Sequence, residues 1–93
     1  MNKAEAFEVV AIELAKFKAK SYDELKSIID FSDSKEHELE NGKYYQTQTQ
    51  VFWDDPKKKK NIRVYCAIDD GGWRAFFPIV TAFIISPNGV IDD

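Results

Sequence analysis

Apolar and polar residues alternate most regularly over residues 61–69. Ile62, Val64, Cys66 and Ile68 fall on one face of an extended chain, and Arg63, Tyr65, Ala67 and Asp69 on the other. This predicts a central strand whose first face is core, followed by a hairpin at Asp70-Gly71, two residues that tolerate positive φ. Residues 43–53 alternate as well: Tyr45, Thr47, Thr49, Val51 and Trp53 oppose Tyr44, Gln46, Gln48, Gln50 and Phe52. The threonine face is the better core partner, and the aromatic ends must set a register that the Q-T-Q-T-Q run specifies weakly. Residues 73–85 are apolar on both faces, and Pro78 withdraws a ladder donor, which predicts a split, a bulge or an edge there. Residues 32–35 read as a polar connection. Residues 36–40 read as a short edge strand leading into Asn41-Gly42, a type I′ turn signal. Ser86-Pro87-Asn88-Gly89 is a further turn, with residues 90–93 as a tail.

The period changes near the N-terminus. Over residues 4–18, Phe7, Val10, Ala11, Leu14 and Phe17 recur at helical spacing, with Val9 and Ile12 off that stripe. Ser21-Tyr22-Asp23-Glu24 has the form of a capping box and predicts a second helix, its stripe formed by Tyr22, Leu25, Ile28 and Ile29. A single uninterrupted helix through residues 18–20 is the other possibility. Helices first and hairpin-linked strands afterwards define an α+β domain over residues 1–93. One or two helices pack on one face of an antiparallel sheet of three to four strands. Small cystatin-like and NTF2-like domains resemble this layout, which implies a fold and no activity.

Composition narrows the partners. A chain of 93 residues, 44% hydrophobic and 14% aromatic, has room for one packed core. Its net charge of -3 offers no general attraction to nucleic acid or anionic lipid. No stretch approaches a membrane span, the N-terminus lacks the pattern of a signal peptide, and Cys66 has no cysteine to pair with. A reduced, cytoplasmic setting is the expectation.

Three runs, V-F-W-D-D-P at residues 51–56, A-I-D-D-G-G-W-R-A-F at 67–76 and F-I-I-S-P-N-G at 83–89, resemble a group of short bacterial proteins to which no activity is assigned. The resemblance covers most of the chain beyond the first helix. It implies a bacterial source and transfers no functional residue.

Candidate chemistry is sparse. Asp54-Asp55 and Asp69-Asp70 could supply oxygens to a divalent cation, but successive antiparallel strands end at opposite edges, so each pair reads as a turn and no metal or other cofactor is expected. His37 reads as a solvated edge residue. Cys66 reads as an inert core thiol. Lys57, Lys58, Lys59 and Lys60 read as a solvated loop.

The unexplained feature is the second sheet face. Tyr44, Phe52, Tyr65, Phe76, Val80 and Ile84 fall there, and a single helix layer leaves them uncovered. The expectation is a non-enzymatic protein-interaction domain, of accessory or immunity type, that uses this face to bind another protein or a second copy stacked sheet on sheet. The alternative is a small-ligand binder or enzyme of NTF2-like type, with a pocket between sheet and helices and Tyr65, Trp73 and Arg74 as wall residues.

Overall fold

A computed structural model describes residues 3–40, 42–69 and 79–93. The Asp70-Gly71 turn, Trp73, Arg74, Phe76 and Pro78 lie outside the described residues. Two helices, α1 (Lys3–Lys18) and α2 (Tyr22–Lys26), precede strands β1 (Ser32–Glu38), β2 (Tyr44–Trp53), β3 (Ile62–Asp69), β4 (Ile79–Ile85) and β5 (Ile91–Asp92). The strands form one antiparallel sheet in the order β1-β2-β3-β4-β5. The fold is therefore α+β with α1 against a five-stranded sheet, more strands than the alternation suggests.

The extra strand comes from the tail. Ser86 N–H donates to Val90 O at 3.0 Å and Gly89 N–H to Ser86 O at 2.8 Å, which turns Ile91 and Asp92 back onto Ile85 and Ile84. The β1-β2 loop repeats the pattern. Leu39 N–H donates to Lys43 O and Gly42 N–H to Leu39 O, each at 2.9 Å. Both loops thus contain three residues, ending in Gly42 at φ +80 and Gly89 at φ +84. A hairpin closed by the Leu39-Lys43 bond, with Gly42 left-handed, is wider than the two-residue type I′ turn expected at Asn41-Gly42, of which Asn41 lies outside the described residues. A Cβ at Gly89 would meet nothing within 4 Å. Gly89→Ala should therefore cost about 1 kcal/mol through backbone conformation with no steric contribution, measurable by urea unfolding.

The helix break falls at Ser21, as the capping box predicts. Ser21 is extended, its hydroxyl accepts from Glu24 N–H, and the Glu24 carboxylate accepts from Ser21 N–H, each at 3.1 Å. Asp30 at φ +74 then ends the helical segment, and its N–H reaches Val51 O at 2.8 Å. That bond feeds the chain into the sheet beside β2, so β1 starts at Ser32 and not near residue 36.

The buried positions of α1 are Ala6, Val9, Val10, Glu13, Leu14 and Phe17. This stripe is rotated from the one that the apolar residues suggest: Phe7 and Ala11 are exposed while Val9 is core, and Ile12 is exposed as expected. Glu13 is a charged residue within this buried row. Inside the domain, the α1 residues form one cluster with Leu25, Tyr45, Val51, Ile62, Val64, Cys66, Ile68, Phe83 and Ile85. Among the described residues no helix is long and apolar enough to cross a membrane.

Candidate functional site

The register assigns each predicted surface residue to a face. Gln48, Ala67 and Val80 form one cross-strand row, Gln50, Tyr65 and Ala82 the next, and Phe52, Arg63 and Ile84 the third. All stand on the face opposite the helices, because their strand neighbours Thr49, Cys66 and Phe83 are buried on the other. Tyr44 shares this outer face and is 57% exposed, and Val80 is 50% exposed. Phe52 and Tyr65 meet edge to face, with ring centroids 6.2 Å apart, and each is half-buried.

The outer face is divided. Its β3-β4 half carries Tyr65, Ala67, Val80, Ala82 and Ile84 between Arg63 and Asp69. Its β1-β2 half carries Ser32, Ser34, Glu36, Gln46, Gln48 and Gln50 between Tyr44 and Phe52. Between them, the small side chain of Ala67 leaves a shallow depression of about 220 Å³ walled by Ser34, Gln46, Gln48, Tyr65 and Asp69. At one end Arg63 holds Asp54 through two nitrogens, at 2.8 and 2.9 Å. Tyr65 faces away from the helices, so it cannot wall a pocket between helix and sheet. Trp73, Arg74 and Phe76 lie outside the described residues.

The inner face contains polar groups that alternation does not reveal. The Glu13 side chain is 3% exposed, and its Oε1 accepts from Lys16 Nζ at 2.9 Å. Lys35 Nζ stands 3.6 Å from Oε2 and His37 Nε2 stands 3.7 Å from Oε1. His37 Nε2 also meets Thr47 Oγ1 at 2.9 Å. His37 is therefore a half-buried inner-face residue, 21% exposed, and not the solvated edge residue that its acidic neighbours imply. Burial pushes the Glu13 carboxyl up; the hydrogen bond and charge of Lys16, joined by Lys35 and His37, outweigh it and hold the group below the usual carboxylate range. The signal available in the sequence was the spacing Ala6, Val9, Val10, Leu14, Phe17, whose missing member is position 13.

This cluster lacks the arrangement of a base relay. A base relay needs one imidazole nitrogen on the hydroxyl and the other on the carboxylate, whereas Nε2 serves both here. Every buried side-chain nitrogen or oxygen among the described residues has a partner. Cys66 lies deeper, accepting from Thr49 Oγ1 at 3.6 Å; burial pushes its thiol up, and the nearby Glu13 charge adds to that, so it is a poor nucleophile.

The acidic pairs separate as the antiparallel register requires. Asp54 lies beyond the Trp53-Ile62 pair and Asp69 opposite Gln46, at the other end of the strands. Asp55 instead accepts from Lys57 N–H at 2.9 Å, ordering the lysine loop, whose four lysines are exposed. Among the described residues no three His, Cys, Asp or Glu side chains gather as a metal site. No family model, curated protein or solved structure matches this chain.

Proposed function

We propose that this chain is a non-catalytic interaction domain of accessory or immunity type that binds another protein through the outer sheet face. The observation that carries the reading is the apolar β3-β4 half of that face, where Val80, 50% exposed, adjoins half-buried Tyr65, Ala82 and Ile84 opposite a fully formed core. Water is a poor neighbour for such a surface, and aromatic residues beside small apolar ones suit an anchor-and-pocket contact. The amide half would supply the polar rim. A second copy stacked sheet on sheet is the competing occupant of the same surface.

Tyr65→Ala provides the test. Because the ring is supported on one side by Phe52, its loss should cost folding only about 1 kcal/mol while abolishing partner binding. Proteins retained on immobilised wild type should be lost on immobilised Tyr65→Ala. Unchanged retention, or loss of the fold with it, would place Tyr65 in the structure and not in the interface.

A further inference from the structure

We propose that two copies of this chain pair antiparallel through the open edges of β4, with Thr81 on the two-fold axis, to make one continuous sheet. The β5 strand covers β4 only at Ile84 and Ile85. In an antiparallel strand, successive residues present their N–H and C=O groups to alternate sides. Ser86 N–H points to Val90 in the β5 hairpin, so Ile84, Ala82 and Val80 present theirs to that same side. Ile84 is matched by Asp92, but among the described residues no strand lies beyond Val80 and Ala82. A row of open backbone groups accepts another extended strand and little else.

The side chains select a second copy as that strand. Residues 79–83 carry no charge, so self-pairing meets no like-charge repulsion. The opposite edge, β1, interleaves Asp33, Lys35, Glu36, His37 and Glu38, a composition that discourages strand addition. With Thr81 facing the partner's Thr81, Val80 lies opposite the partner's Ala82 and Ala82 opposite the partner's Val80. Each match exchanges both backbone bonds, and Val80 packs beside a small residue. Pairing cannot extend past Phe83, because β5 occupies the edge from Ile84 onward. The two apolar half-faces would then meet along the joint and form one wider stripe. That consequence rests on the interaction reading above; the edge pairing itself does not.

Sedimentation equilibrium from micromolar to millimolar protein, with amide exchange at Val80 and Ala82 followed by NMR, tests the proposal. The wild type should dimerise reversibly, and both amides should gain protection as concentration rises. In Ala82→Pro the lost N–H points away from β3, so the fold is retained, as edge prolines are tolerated. Its dissociation constant should rise at least about tenfold. Tyr65→Ala should leave dimerisation nearly unchanged. A strict monomer, or a dimer broken by Tyr65→Ala and untouched by Ala82→Pro, would overturn the edge pairing. If Ala82→Pro does not fold, exchange at Val80 and Ala82 in the wild type decides: rates independent of concentration would also overturn it. Failure of the outer-face reading has a different signature, retention of captured proteins by Tyr65→Ala.

Discussion

Phe83→Ala is expected to lower the unfolding free energy by about 3–5 kcal/mol in urea titrations, enough to threaten a domain of this size. Phe83 is 1% exposed and ranks among the largest fully buried side chains of the core. It lies opposite Val64 on the inner face of β4, where α1 also contacts the sheet. The ring carries Lys18 Nζ 5.6 Å from its centroid, and the same lysine reaches Asp93 at 2.8 Å. Truncation would leave a cavity under the helix and remove the support of the contact that draws the C-terminus toward α1. Most of the cost is the lost packing, since an exposed ion pair and an exposed cation–π contact are each weak. A change below about 1 kcal/mol would mean that β4 does not pack under α1 as described.

Glu13→Gln is expected to cost about 2 kcal/mol near neutral pH, where the buried carboxylate is ionised and accepts a charge-assisted bond from Lys16. The amide keeps the shape but brings donor hydrogens against the ammonium groups of Lys16 and Lys35, which can only donate. The pH dependence identifies the cause. The folded-state carboxyl titrates below its ordinary value of 4.5, so its contribution is fully present above that value and is lost as pH falls through the depressed one. The stability gap between wild type and Glu13→Gln should therefore narrow on acidification, as the wild type becomes neutral at the same position. A gap that stays constant between neutral and acid pH would remove Glu13 from the role assigned here.

The strands were legible because alternation survives where one face is buried. Ile62, Val64, Cys66 and Ile68 are all core, and Tyr45, Thr47, Thr49 and Val51 join them. The capping box at Ser21 was equally readable, since its two bonds are local. The helix face was not. Apolar Phe7 and Ala11 drew the expected stripe away from Glu13, whose burial is made tolerable by Lys16 and Lys35 together with the His37 ring. His37 was misread for the same reason, because its partners Thr47 and Glu13 are remote in sequence. Strand β5 was missed because two residues give no periodicity, and its position depends on the turn at Gly89. The outer-face residues that the structure describes were assigned correctly by parity.

The uninterrupted order of the meander also governs how the chain reaches this structure. Among the described residues each strand pairs with its neighbours in sequence, so these pairings are local and involve no crossover. The long-range step is the docking of the N-terminal helices onto the sheet, α1 chiefly over β3, which is formed from residues far along the chain. A nascent chain therefore holds its helix without a platform until the middle strands emerge, and the hairpins then assemble locally and quickly beneath it.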